Sequence, residues 1–361
     1  MTHRDWQNLV SGRTSGPAAV LLRWLLRLAG CVYYLVVCLR NLLYSAGLFR
    51  PYQTSIPVIS IGNITVGGTG KTPLVIWLCN YLARNPPRNA QHLLCAVLTR
   101  GYRTGDGPLL DEPAVLAESC GQARIVVDPD RAAGAAQAIA FGANVLILDD
   151  GFQHRRLARD LDIVAIDATR PFGYDKVLPA GLLREPACGL KRAGAVVITR
   201  CDQVCESELG QIERRIRRYK ADLVIARSAH VPICARDRHG NCIELDRLKG
   251  KRLFAFCGIG NPEAFLGTVR SLGAELVGSE IFDDHHHYSP RCITRICEEA
   301  DQLAAEIALT TTKDWTKIAD ILPLRDRPVL AYLLTEIRFI AGLEELTHLI
   351  QTVLAAKISG E

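Results

Sequence analysis

Val58-Ile59-Ser60-Ile61-Gly62-Asn63-Ile64-Thr65-Val66-Gly67-Gly68-Thr69-Gly70-Lys71-Thr72-Pro73 is the stretch that decides the fold of this 361-residue chain. An apolar run, Val58 to Ile61, feeds a glycine-rich turn that ends in Gly70-Lys71-Thr72. That order reads as a strand, a phosphate-binding loop and the start of a helix. Gly67, Gly68 and Gly70 let the backbone take positive φ and approach a phosphate closely. Successive N–H groups then point inward, and the helix offers its positive end. Lys71 is placed to reach the β- and γ-phosphates, and the Thr72 hydroxyl to sit on Mg²⁺. Thr65 and Thr69 complete the loop. The G-x-x-x-x-G-K-[ST] pattern has Gly where this chain has Thr65. The ligand class is a nucleoside triphosphate, and the competing reading is an ordinary glycine turn opening a helix.

Outward from the loop, apolar runs alternate with helix-like stretches. Val58–Ile61, Leu93–Leu98, Asn144–Leu148, Ile163–Ile166 and Ala195–Ile198 read as strands, with helices over Pro73–Arg84 and Arg131–Phe141. This spacing predicts βαβ units and a mostly parallel sheet covered on both faces, with ligands at the carboxyl ends of its strands. A second block starts near Val231. It has strands at Leu253–Cys257, Ala274–Val277, Ala308–Thr310 and Val329–Leu334, and helices starting at Pro262 and Pro290. Cys234–Leu245, around His239-Gly240-Asn241, reads as a hairpin or a linker at the domain junction.

The expected organisation is therefore an N-terminal membrane-associated helical segment over 1–50, a P-loop domain over 51–230 and a smaller α/β domain over 231–361. The fold class is α/β, a P-loop NTPase-like parallel sheet with a second, smaller α/β domain. A chain of this length can support two cores. Lys+Arg number 43 against Asp+Glu 38, which is too slight an excess to argue for nucleic acid. The 13 cysteines are scattered without zinc-type spacing and read as small buried residues in a reducing compartment.

Ala18 to Phe49 is apolar, with isolated Arg23, Arg27 and Arg40. The uncharged stretch Leu28 to Leu39 falls short of the roughly 20 residues a bilayer span needs. Trp24, Tyr33, Tyr34 and Tyr44 are interface-type aromatics, and the arginines can snorkel to headgroups. The segment reads as an interfacial anchor on a membrane surface, against the alternative of a helix packed on the protein's own core.

The chemistry-bearing residues lie mainly at strand ends. Val145-Leu146-Ile147-Leu148-Asp149-Asp150-Gly151 is a strand closing in two acids, where phosphate-loop enzymes hold Mg²⁺. The two carboxylates are adjacent, so along a strand they face opposite ways, and either can be the metal ligand. Thr99-Arg100-Gly101-Tyr102 ends a strand, and Asp111-Glu112-Pro113 reads as a loop. Leu178-Pro179-Ala180-Gly181-Leu182-Leu183-Arg184-Glu185-Pro186 is turn-rich and bears a cation. Gly258-Ile259-Gly260-Asn261-Pro262 can open a helix, with Asn261 as its cap. Phe282-Asp283-Asp284-His285-His286-His287-Tyr288 concentrates three histidines, and Thr311-Thr312-Lys313-Asp314 follows a strand.

In this order the motifs resemble one family, tetraacyldisaccharide 4′-kinase, over nearly the whole chain. Thr65 matches that family's loop. The chain departs at Leu110, where the family has Gly before Asp-Glu-Pro, and the segment from Arg103 to Asp111 is short. The resemblance implies ATP-dependent phosphorylation of the 4′-hydroxyl of a membrane-borne tetraacylated glucosamine disaccharide 1-phosphate, from the cytoplasmic face of the inner membrane. It implies Asp111 as the base, with His285 as its partner, although His286 and His287 are adjacent. Lys71 and Arg184 stabilise charge, and Thr72, Asp149 or Asp150, and Glu185 hold Mg²⁺. The alternative from another class is a membrane-associated nucleotide switch with slow NTPase activity. It leaves Asp111 and His285 unexplained, and Thr312-Lys313-Asp314 is not a guanine-reading segment.

Overall fold

The protein is described by a computed structural model covering residues 3–86, 93–101, 111–284, 286–323 and 327–359, the side chains of residues 3, 4, 111, 112, 358 and 359 excepted. The chain forms two compact units, one of residues 3–229 with 338–361 and the other of residues 230–337.

The first unit begins with helices α1 (His3–Val10) and α2 (Pro17–Ser45), and then the sheet. Its strands are β1 (Val58–Asn63), β2 (Cys95–Thr99), β3 (Arg124–Val127), β4 (Val145–Asp149), β5 (Leu161–Asp167) and β6 (Ala195–Thr199). Helices α3 (Lys71–Arg84), α4 (Asp111–Ser119) and α5 (Arg131–Ala140) link strands β1 to β4, and α6 (Glu206–Arg217) follows β6. The strand order is β6-β5-β1-β4-β2-β3, all parallel. Strands β1, β2, β4, β5 and β6 are buried at every residue, as a sheet covered on both faces requires. This is why they read as unbroken apolar runs rather than alternating ones.

The register places Ile61 beside Asp149, so the acidic pair arrives at the carboxyl end of the strand that carries the phosphate loop. Gly62 allows this convergence. A Cβ there would lie 2.5 Å from the Cβ of Phe152, which crosses the strand end fully buried.

Two expectations are revised in this unit. Asp111 opens helix α4 rather than lying in a loop, and Pro113 is compatible with a first turn, where no intrahelical N–H is needed. The C-terminal segment expected within the 231–361 block groups instead with the first unit. Helix α10 (Leu343–Ser359) buries Leu346, Ile350 and Leu354, one face at four-residue spacing. Each such side chain contributes about 1.5–3 kcal/mol. Gln351 donates to the Tyr81 hydroxyl and to the Asn85 carbonyl, at 3.3 and 3.0 Å, and Phe339 packs against Trp77.

The second unit has the parallel order β10-β9-β11-β12, from β9 (Arg252–Cys257), β10 (Glu275–Ile281), β11 (Ile307–Thr311) and β12 (Val329–Ala341). The strands expected in this block are all present. Helices α7 (Pro262–Ser271), α8 (Pro290–Gln302) and α9 (Thr312–Ile318) connect them. Cys234–Leu245 forms a hairpin, in which β7 (Val224–Asp237) pairs antiparallel with β8 (Cys242–Glu244). Cys79, Cys95, Cys120, Cys201, Cys234, Cys257 and Cys297 are buried, as small apolar residues are.

Candidate active site

The site is built where β1 and β4 end. After Asn63 the chain makes one antiparallel bridge, Thr65 to Leu183, and then the glycine turn. Gly67 and Gly70 have φ of +109° and +81°, a left-handed backbone that glycine adopts without a Cβ penalty. Gly70 is the N-cap of α3 and makes no side-chain cap, so the first N–H groups of that helix face the loop. Side chains brace the loop from behind. Asn63 Nδ2 donates to Thr69 Oγ1 at 2.9 Å. Thr199 Oγ1 donates to the Thr69 carbonyl at 2.9 Å, and Arg200 Nη1 donates to the Gly68 carbonyl at 2.9 Å. Arg200 also pairs with buried Asp167.

Asp149 and Asp150 part company as expected, and the backbone does the separating. Asp149 is the last residue of β4, buried, with Oδ2 3.4 Å from the Thr99 hydroxyl that donates to it. Asp150 has φ of +55°, a conformation that Asp tolerates better than most residues. The turn carries its carboxylate to Lys71 Nζ at 3.2 Å and Arg184 Nη1 at 2.7 Å. Burial works to raise its pKa, but Lys71 and then Arg184 outweigh burial and hold the carboxyl well below the usual range. Lys71, Asp150 and Arg184 thus form one charged cluster at the mouth of the loop, each keeping 14–23 % of its side chain exposed. Thr72 stands beside Lys71 in the first turn of α3.

Glu185, the next residue after Arg184, is fully buried. Its oxygens accept from Arg192 Nη2 at 2.8 and 2.9 Å, Gln153 Nε2 at 2.9 Å and Asn41 Nδ2 at 3.2 Å. Gln153 Nε2 also donates to the Asn63 carbonyl at 2.7 Å.

Several of these partners carried no motif. Arg200 and Thr199 follow an apolar run, where a strand-end polar pair is a weak signal. Arg131 is buried and donates to the Asp149 carbonyl at 3.1 Å. It directly follows the α5 cap Asp130, and a cation in a first turn opposes the helix dipole, which could have marked it. Among the described residues, the buried Nε2 of His154 has no hydrogen-bond partner. Burial, then Arg131, Arg156 and Arg159, pull its pKa down to about 4.

The Asp111 side chain and His285 lie outside the described residues. In the second unit, Asp314 is fully buried and accepts from the Gly258 N–H at 3.0 Å and the Thr311 hydroxyl at 2.8 Å. Asn261 caps α7 and Pro262 stands in its first turn, as the sequence predicts.

The arrangement suits phosphoryl transfer, which relies on positioning and charge stabilisation more than on covalent chemistry. Among the described residues no three or more His, Cys, Asp or Glu stand together as a ready-made metal cage. Mg²⁺ needs none, because it binds through one or two carboxylates together with substrate phosphates and waters. The hard oxygens of Thr72, Asp149 and Asp150 fit that ion.

Comparison with known proteins agrees. The family profile described as tetraacyldisaccharide-1-P 4′-kinase, LpxK, matches residues 22–355. A tetraacyldisaccharide 4′-kinase of Halothermothrix orenii is 34 % identical over 354 residues, spanning 89 % of this chain and 90 % of its own. One from an Anaeromyxobacter species is 37 % identical over 326 residues, spanning 85 % and 86 %. A crystal structure of LpxK from Aquifex aeolicus in complex with ATP superposes with a TM-score of 0.68 at 28 % identity, covering 92 % of this chain and 99 % of that one.

Proposed function

This chain belongs to the tetraacyldisaccharide-1-P 4′-kinase family, and from that premise we propose how its residues perform the family's reaction. The reaction is ATP-dependent phosphorylation of the 4′-hydroxyl of tetraacyldisaccharide 1-phosphate, giving lipid IVA in lipid A biosynthesis. The observation that carries the assignment of roles is the cluster of Lys71, Asp150 and Arg184 at the mouth of the phosphate loop.

ATP lies with its phosphates against the N–H groups of the loop and of α3. Lys71 leaves Asp150 for the β- and γ-phosphates, and Arg184 complements the charge on the phosphoryl group in transit. Mg²⁺, when bound, neutralises phosphate charge and aligns the transferred group. Thr72 with Asp149 or Asp150 would hold it, whereas the Glu185 oxygens are already taken by Arg192, Gln153 and Asn41, so that Glu185 would steady the Arg184 segment instead of binding the ion. Asp111 takes the proton of the acceptor hydroxyl as the new bond forms, with His285 as partner. The motif match supports these last two roles.

Helix α2 supports a membrane-side acceptor. It is long and apolar enough, by length and composition, to cross a membrane, because it continues through Arg23, Arg27 and Arg40. One stripe of it is nevertheless committed to protein. Gly30 approaches Ala180, Tyr33 and Asn41 hydrogen-bond residues 184 and 185, and Tyr44 lies under Arg155. Leu21, Leu25, Leu28, Val32, Leu35 and Leu39 are exposed on the rest. A helix held sideways along its length suits the interface rather than the bilayer centre. We place it at the cytoplasmic face, where the acceptor's acyl chains stay in the lipid while its sugar meets the loop.

The test is transfer of radiolabelled γ-phosphate from ATP to tetraacyldisaccharide 1-phosphate in detergent, with wild type beside Lys71→Ala and Asp111→Ala. Labelled lipid from wild type, lost in both variants, is the expected result. ATP hydrolysis without labelled lipid would sink the kinase reading in favour of a nucleotide switch.

A further inference from the structure

We infer that Tyr33 and Asn41 of α2 are positioning residues for phosphoryl transfer, so that the lipid-facing helix is also a supporting wall of the kinase site. The inference rests on the reading of Arg184 given above and deepens it. Tyr33, Val37 and Asn41 recur every four residues and so share one helix face. Val37 is buried on it, which marks the stripe turned to protein. A helix that served only as an anchor needs apolar packing on that stripe. Two of its side chains are polar instead, and each hydrogen-bonds a residue of the Arg184-Glu185 pair.

The Tyr33 hydroxyl donates to the Arg184 carbonyl at 2.7 Å. On the other side, the Arg184 N–H donates to the Ile64 carbonyl at 2.8 Å. The main chain of Arg184 is therefore held between α2 and the phosphate loop, while its guanidinium holds Asp150. Asn41 Nδ2 donates to Glu185 Oε2. Gln153 spans the other Glu185 oxygen and the Asn63 carbonyl, and Asn63 in turn holds Thr69. An unbroken series of hydrogen bonds thus runs from α2 to the loop that takes the phosphates. Asn41 is itself fixed, since its side-chain oxygen accepts from Arg40 and its carbonyl accepts from Arg155. The close approach is built in further along the helix, where Gly30 meets Ala180 and a Cβ would lie 3.2 Å from that residue's Cβ. Helix α1 adds a bond from Trp6 Nε1 to the Pro179 carbonyl at 2.9 Å.

Removing these donors frees the Arg184 carbonyl and one Glu185 oxygen without touching any group that meets substrate. Arg184 then samples positions away from the transferring phosphoryl group, and the electrostatic help it gives weakens in the transition state. The loss belongs in kcat rather than in lipid binding, which is set by the exposed apolar face.

The experiment uses the full chain with acceptor presented in phosphatidylethanolamine and phosphatidylglycerol vesicles. Wild type, Tyr33→Phe, Asn41→Ala, the double variant and Arg184→Ala are compared for kcat, for KM of acceptor and ATP, and for flotation with acceptor-free vesicles. The double variant is expected to lose about tenfold in kcat, the order of one or two hydrogen bonds. Its acceptor KM and flotation should stay within about twofold of wild type. Tyr33→Phe keeps the ring and its packing, so a drop in kcat there reports the lost donor rather than a misfolded helix. Unchanged kcat in all three α2 variants beside an impaired Arg184→Ala overturns this inference alone. So does a loss confined to acceptor KM or flotation, which would leave α2 a plain anchor. Full kcat in Arg184→Ala, or no transfer by wild type, overturns the reading of the site and this inference with it.

Discussion

Two turns in this molecule follow the same local plan and end differently. Residues 64–70 leave β1 and open α3, and residues 258–261 leave β9 and open α7. Each leaves a buried parallel strand at the end where α/β sheets bind ligands. At the second turn the donors are committed to protein. The Gly258 N–H goes to Asp314, and the Ala264 N–H goes to the side chain of Asn261. At the first, Gly70 offers no cap, and the donors of α3 remain for a phosphate. The charges divide in the same way. Lys71, Asp150 and Arg184 keep part of their surface in water, whereas Asp314 is fully buried and Lys317 nearly so. A strand–turn–helix frame is therefore not a site by itself. What makes one is a turn whose helix carries no side-chain cap, beside charged groups that keep part of their surface in water.

The comparison breaks if the two charged groups trade roles. Lys71→Ala should lower kcat/KM on the order of 10²–10³-fold, the size seen when one transition-state donor is lost. Its unfolding midpoint in urea should scarcely move, because a partly exposed ion pair contributes little stability. Asp314→Ala should do the reverse, costing about 3–5 kcal/mol by removing the buried carboxylate that Lys317 and the Gly258 N–H share. A folded, stable Asp314→Ala beside an unfolded Lys71→Ala would invert the lesson. A smaller loss is expected from Gly70→Ala. At a φ of +81° a side chain costs about 1–2 kcal/mol, which should appear as a raised KM for ATP, read from initial rates.

The first turn was legible because its chemistry is local. Glycines, Lys71 and Thr72 must lie in order along the chain to cradle a phosphate, so the sequence displays them. The buried strands were legible for a related reason, since a sheet covered on both faces leaves unbroken apolar runs. What was not legible depends on pairings distant in sequence. Nothing around Arg192 announces that it faces Glu185 together with Asn41, 144 residues from Glu185 along the chain. Helix α4 was hidden because Asp-Glu-Pro is as good a turn as it is a first helical turn. The return of 338–361 to the first unit depends on how Leu346, Ile350 and Leu354 find cover, which periodicity reveals only as a helix. Asp150 shows the two cases together. Its place after an apolar strand marked it, but the left-handed turn that aims it at Lys71 and Arg184 did not.

Asn261→Ala sharpens the comparison at the second turn. Removing an N-cap that accepts from N3 should cost about 1 kcal/mol, measured as a shift in the urea midpoint. The matching change at the first turn is Gly70→Asn, which gives α3 a cap it lacks. If the cap forms, it occupies donors that the phosphates need, and ATP binding should weaken while the helix gains stability. Tighter ATP binding in Gly70→Asn would mean that the donors of α3 are not the ones a phosphate uses.

The smallest effect expected is a pH slope that separates the two units. His154 in the first is held neutral by burial and then by Arg131, Arg156 and Arg159, with a pKa near 4. His286 in the second is also lowered, by burial and then Lys317, but Asp314 and Glu280 pull the other way. A histidine whose folded pKa lies below its unfolded value binds its proton more readily in the unfolded chain. The stability it confers is therefore complete above about pH 6.5, the unfolded value, and is lost as pH falls toward the folded pKa. For His154 that window reaches down to about 4, so wild-type Tm should fall on going from pH 7.5 to pH 5. His154→Gln does not titrate and should fall less over the same interval, whereas His286→Gln should change the slope less than His154→Gln does. Equal slopes in wild type and His154→Gln would show that burial and the neighbouring arginines do not hold His154 neutral.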